Sequence, residues 1–237
     1  MRRFLVLIVV LVVLAVTADR VAWWFAQRTI ATEIQKTEKL STRPEVTVGG
    51  FPFLTQALRG RYQQVDANIQ DPAVDNGLKI DSLKVQLRGV HVTTGDLINR
   101  QVDSVPVDSA TAVATISFAS LNAAAKENLP DAKSKVEFSQ GTGDALAVTG
   151  TYRSSGLSAK LDLQARLLAK DGDLIVELDP EALAGLPAAL RAQVKSLVAD
   201  ASQLPPLPFG FQAQAVSVSP SGITVQATSS SLNLDAR

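Results

Sequence analysis

LSAKLDLQARLLA, residues 157–169, alternates apolar and polar side chains over thirteen positions. Leu157, Ala159, Leu161, Leu163, Ala165, Leu167 and Ala169 share one face. Ser158, Lys160, Asp162, Gln164 and Arg166 share the other, and only Leu168 breaks it. A period of two is the signature of a strand with one buried face. At about 3.4 Å per residue this strand reaches roughly 44 Å, whereas strands usually run about five or six residues. A strand of that reach belongs to a long, coiled sheet. Its apolar face needs a cover of matching length.

The flanking sequence extends the pattern. Gly141-Thr142-Gly143-Asp144, Ser154-Ser155-Gly156 and Asp171-Gly172 divide residues 134–178 into four strands of a meander. Upstream, Gly60 opens a strand in which Val65, Ala67 and Ile69 alternate with polar residues. Leu83, Val85 and Leu87 do the same between Lys84, Gln86 and Arg88, across the turn signal Asp75-Asn76-Gly77. Residues 89–110 are less regular, and Val113–Ile116 reads as a strand. Ser117 is placed to cap a short helix carrying Phe118, Leu121 and Ala125, which stops near Pro130. Two last strands, 212–218 and 223–234, pair across Ser219-Pro220-Ser221-Gly222.

Two helices are candidates for the cover. In residues 19–40, Trp23, Ala26, Ile30 and Ile34 form one stripe, and Arg43-Pro44 ends the segment. The other begins at Asp179-Pro180, a cap followed by Pro at the first helical position. It carries Leu183, Leu186, Leu190, Val194, Leu197 and Ala201 and ends in the Pro-rich loop 204–211. The fold class expected is α+β, a long coiled antiparallel sheet wrapped around a long helix. Ala159, Ala165, Ala169, Ala213 and Ala215 are small for a sheet core. They allow either close packing or a lumen wide enough for acyl chains.

The N-terminus sets the location. Phe4–Val16 is thirteen apolar residues behind Arg2 and Arg3, the pattern of a secretory signal. As a helix it rises roughly 20 Å, short of a hydrocarbon core of about 30 Å. Val16-Thr17-Ala18 offers a cleavage site that would leave Asp19 first. The competing reading is a retained anchor, since Trp23 and Trp24 follow where a helix leaves the bilayer. Either way, residues 1–18 are a signal or membrane anchor, and residues 19–237 form an α+β domain outside the cytoplasm.

Composition narrows the chemistry. The chain has 237 residues, no Cys and a single His, with 23 basic and 23 acidic residues. Disulfides, thiol catalysis and Cys-based metal sites are therefore excluded. The balanced charge does not supply the clustered basic face that a nucleic-acid partner needs. His91 has no second His for zinc, no G-x-S-x-G elbow accompanies it, and Gly141-Thr142-Gly143 is a turn, since no helix follows it. The expectation is a protein that is not an enzyme, without cofactor or metal; a hydrolase is the outlying alternative.

Four blocks carry a resemblance: GFPFLTQALRGRYQQVDANI (50–69), LRGVHVTTGDLI (87–98), ISFASLN (116–122) and LPPLPFGFQAQAVSVSPSGITV (204–225). In composition and order they resemble the LmeA-like actinobacterial family of envelope phospholipid-binding proteins, related to tubular lipid-binding proteins. The resemblance implies non-covalent binding of a phospholipid or polyprenyl lipid at a membrane, in support of lipoglycan or mannan elongation. It brings no catalytic motif. The residues expected to hold the lipid are Phe51, Phe53, Leu83, Val85, Leu87, Leu161, Leu163, Leu207 and Phe209. Arg59 and Arg61 are expected at an anionic headgroup, because guanidinium pairs well with phosphate. The alternative is an envelope scaffold with a solid core, whose Phe-Pro loops contact glycan-synthesis enzymes.

Overall fold

The computed structural model describes residues 2–72, 79–93, 95, 104–128, 134–154, 157–179, 183–184, 188, 191–192 and 210–235. It is α+β, with a long N-terminal helix and extensive antiparallel sheet, and among the described residues no closed barrel. The chain divides into two compact units. The first comprises residues 1–69, 84–111 and 230–237, and the second 70–83 and 112–229.

In the first unit, α1 runs unbroken from Arg2 to Thr37. The expected boundary between the apolar run and the 19–40 segment is therefore not a break in the backbone. The second half of α1 packs on β1 (Glu45–Gly49). Val46 and Val48 of β1 are buried, and Trp23 Nε1 donates to the Val48 carbonyl at 2.7 Å. The 50–60 stretch folds as a helix, α2 (Phe53–Arg59). Gly60 ends it in the left-handed region at φ 64°, its amide directed to the Ala57 and Gln56 carbonyls, a position where glycine carries no Cβ penalty. Strands β2 (Arg61–Gln70), β3 (Ser82–His91) and β4 (Ser104–Ser117) follow. The hydrogen-bonding order is β1-β2-β3-β4, and β11 (Leu232–Asp235) pairs with β4 from Ser104 to Val107.

Two expectations need correcting here. Residues 104–112 belong to β4, although they read as irregular. Pro106 lacks an N–H, yet Val105 and Val107 keep the strand period and β11 registers Asn233 on Pro106. The expected strand 223–234 is two strands, β10 (Gly222–Ser229) and β11, divided at Ser230-Ser231; both pair with β4, and the other edge of β10 pairs with the strand before it.

The second unit contains the long strand. β5 (Lys135–Gln140), β6 (Ala145–Ser154), β7 (Leu157–Lys170) and β8 (Asp173–Leu178) form the four-stranded meander, in that order. β6 and β7 pair along ten residues. Leu161, Leu163 and Ala165 are buried, while Lys160, Asp162, Gln164 and Arg166 are exposed, as the alternation predicts. Of the two helices expected as cover, the one after Asp179 contributes Leu183, and a further helix adds to it. Phe118 and Leu121 of α3 (Phe118–Asn128) pack with Leu146 and Ala165, together with Val218 of β9 (Gln212–Ser219) and Ile223 of β10. Leu183 closes over Leu161 and Leu163. The packing of α1 is with β1 and α2 in the other unit. Of the helix expected after Pro180, the described residues Leu183, Ala184, Ala188, Arg191 and Ala192 are helical. Val194, Leu197, Leu207 and Phe209 lie outside the described residues, as does the Asp75–Gly77 turn.

The small residues fall in two groups. Ala165 and Ala213 are buried, but Ala215 is exposed. The register gives the reason: Gln226 faces Ala215 while Ala227 faces Ala213, so Gln214 is an extra residue in β9. A β-bulge of this kind reverses which side chains point inward.

Ser117 caps α3 as expected, its hydroxyl accepting from the Ser120 amide at 3.2 Å. Asp81 reinforces it, accepting from the Ser117 amide (2.6 Å), the Ser117 hydroxyl (2.9 Å) and the Ser120 hydroxyl (3.1 Å). Burial raises the Asp81 pKa, but these bonds outweigh burial and hold it below the usual value. The carboxylate therefore stabilises the fold fully above its unfolded pKa, about 3.9. That stabilisation is lost as the pH falls through the lowered folded value. Asp81→Asn is expected to cost about 1 kcal/mol at pH 7. Denaturation of both chains at pH 7 and at pH 3 checks this: the gap should shrink at the lower pH.

Candidate functional site

The residues expected to bind lipid are divided between the units. Phe51, Phe53, Arg59, Arg61, Val85 and Leu87 belong to the first, and Leu83, Leu161 and Leu163 to the second. Val85, Leu87 and Leu83 are half-buried along β3. Leu161 and Leu163 lie in a packed core with Leu183. The two Phe of the G-F-P-F stretch separate. Phe51 is 60% exposed, whereas Phe53 is 6% exposed, its ring 6.0 Å from that of Tyr62. Pro52 stands before α2 in an extended conformation, so Phe51 precedes the helix and Phe53 begins it. The first helical position directs its side chain inward here, and the residue before Pro stays outside.

Both arginines lie where α2 gives way to β2. They line a cleft of about 440 Å³ with Gln56, Gln63, Gly89 and Asp108. Arg61 donates to Asp108 Oδ2 at 2.8 Å, and His91 Nε2 lies 3.0 Å from Asp108 Oδ1. These bonds, that of His91 foremost, hold the Asp108 carboxyl below its usual range. Among the described residues Arg59 has no ion-pair partner. The two cations therefore differ: Arg61 is held by a carboxylate, and Arg59 is exposed with no carboxylate on it among the described residues. Gln56 is buried and braces the floor. Its amide nitrogen donates to the Gly49 carbonyl at 3.1 Å, and its oxygen accepts from the Gln63 amide at 2.8 Å. Gly89, at φ 62°, is needed where it stands, because a Cβ there would strike the Asp108 carboxylate.

Sequence reasoning located the arginines but not Gln56, Gln63, Gly89 or Asp108. The L-R-G-V-H stretch held a signal for Gly89, since a glycine inside a strand pattern marks a close approach. Nothing local connects Arg61 to Asp108, which is 47 residues away. The arrangement offers two guanidinium groups, side-chain amides and one carboxylate in an open cleft. That is recognition chemistry for a phosphate-bearing group. Among the described residues no cluster of His, Asp and Glu is arranged to hold a metal.

A chain of this kind, α+β with long antiparallel sheets and a basic cleft beside exposed apolar side chains, has the make-up of a lipid-binding protein. A family model described as LmeA-like phospholipid-binding matches residues 17–228, and the chain belongs to that family. No curated protein and no solved structure matches it. The N-terminal apolar helix is compatible with either a signal or an anchor.

Proposed function

We propose that the protein binds a phospholipid or polyprenyl lipid non-covalently, without catalysis, in the extracytoplasmic envelope, and hands it on to lipoglycan synthesis. The observation that carries this reading is the cleft holding Arg59 and Arg61 directly after α2, whose outer face is apolar. An anionic headgroup is received by the guanidinium groups, Arg59 first, since Arg61 shares its charge with Asp108. Acyl or prenyl chains lie against apolar surface, which stabilises by about 25 cal/mol per Å² removed from water.

Mass spectrometry of organic extracts from the purified protein tests binding directly. A stoichiometric lipid supports the proposal, and its absence favours the scaffold with a solid core. The headgroup assignment has its own test. Arg59→Ala with Arg61→Ala is expected to lower uptake from anionic vesicles by about 30-fold, since each cation near such a surface contributes about 1 kcal/mol. Uptake from neutral vesicles should change little, and added salt should narrow the difference. Equal loss from both kinds of vesicle would remove the arginines from the headgroup site.

A further inference from the structure

The apolar run of α1 ends in a place the fold has prepared. From Phe4 to Ala18 the helix rises about 22 Å, too little for about 30 Å of hydrocarbon. Counting on to Phe25 gives about 33 Å, which suffices, but Asp19 and Arg20 then fall inside the hydrocarbon edge. The structure compensates both charges. Asp19 is buried and accepts the Leu54 amide at 2.8 Å, at the start of α2. Arg20 donates to Asp19 at 2.6 Å, and its guanidinium lies over the rings of Trp23 (5.2 Å) and Phe51 (4.9 Å). Trp23 is three residues further along the helix, so Arg20 leans toward the water side, as a snorkelling Arg does. Arg28, over the Trp24 ring at 4.2 Å, marks the next basic level.

The Asp19–Leu54 bond has a second effect. It ties the first turn of α2 to α1 at the depth of residue 19. There α2 exposes Leu54 and, one turn on, Leu58, which is 87% exposed; Phe51 is exposed just before them. An apolar helix face open to solvent requires an occupant. α2 packs on α1, and α1 carries exposed apolar residues from Phe4 to Val16 and again at Val21, Trp24 and Phe25, a segment whose apolar surface fits lipid.

We propose that α1 is retained as a membrane anchor spanning Phe4–Phe25, and that α2 enters the adjoining leaflet beside it, with Phe51, Leu54 and Leu58 in lipid. The occupant of the α2 face is thus the bilayer itself. The cleft of Arg59 and Arg61, at the end of α2, then opens at headgroup level. The inference stands on α1 and α2 and holds whether or not those arginines receive a headgroup.

The absence of Cys makes a direct test clean. Full-length Leu58→Cys and Glu33→Cys chains carry a nitroxide label in vesicles of phosphatidylglycerol and phosphatidylcholine. Both positions are exposed, so folding should be unaffected. Relative accessibility to oxygen over a nickel chelate should be several-fold higher at position 58 than at 33. Equal, water-like accessibility at the two would overturn the insertion of α2. Intact mass of the unlabelled protein taken from cell membranes should be that of the uncut chain, and a mass beginning at Asp19 would overturn the anchor.

Discussion

Leu163→Asp is expected to abolish folding of the second unit. Leu163 is 5% exposed, sits opposite Val148 on β6, and packs with Leu161 and Leu183. Losing its burial removes about 1.5–3 kcal/mol. An unpaired carboxylate in its place adds several more, and the sum rivals a total stability of about 5–15 kcal/mol. Leu168→Asp is the control on the same strand. Leu168 is 38% exposed on the opposite face, so its replacement should shift stability by about 0.5 kcal/mol or less. Amide hydrogen exchange over β5–β8 distinguishes them: protection should vanish in the first variant and persist in the second. Protection retained in Leu163→Asp would place this face at the surface.

Gly150→Val is expected to have the next largest effect. Gly150 lies in β6 opposite Val136 of β5, at φ 135°, a conformation that L residues rarely adopt. A Cβ there would fall on the Lys135 carbonyl oxygen, which is backbone and cannot rotate away. Strain and overpacking together should cost about 3 kcal/mol or more, with β5 the first element to open. Gly143→Ala separates the two causes. Gly143 also has positive φ, at 65°, but a Cβ there meets nothing within 4 Å, so the cost should be about 1 kcal/mol. Denaturant midpoints of the three chains provide the comparison. A Gly150 variant no less stable than the Gly143 variant would mean that β5 does not pack this closely on β6.

Much of the second unit was legible because its signals are local. The alternation in 157–169 identified the buried face of β7, and the Gly- and Asp-bearing turns divided β5 to β8. Ser117 declared the start of α3 because a capping hydroxyl acts within three residues. The misreadings arise where a local signal was overruled by pairing. Residues 104–110 read as irregular, but β4 runs through them with β11 alongside. Ala215 reads as inward by alternation, but a bulge at Gln214, seen only in the register with β10, turns it outward. β1 has too few residues to announce itself, and its pairing with β2 defines it.

The candidate site divides along the same line. By itself the sequence determined the apolar N-terminal helix, the long half-buried strand, the absence of thiol chemistry, and two arginines after a G-F-P-F stretch. Each of these depends on composition or on spacing within a few residues. Only the tertiary structure decided which Phe of that stretch is presented, which arginine is held by a carboxylate, and what became of Asp19. Phe51 and Phe53 differ because one precedes α2 and the other packs beneath it. Arg61 is engaged because β4 brings Asp108 across 47 residues of chain. Asp19 reads as the first residue after a signal or anchor, but 35 residues on, the amide of Leu54 turns to meet it. Contacts at such distances follow from chain topology, and local propensity carries no record of them.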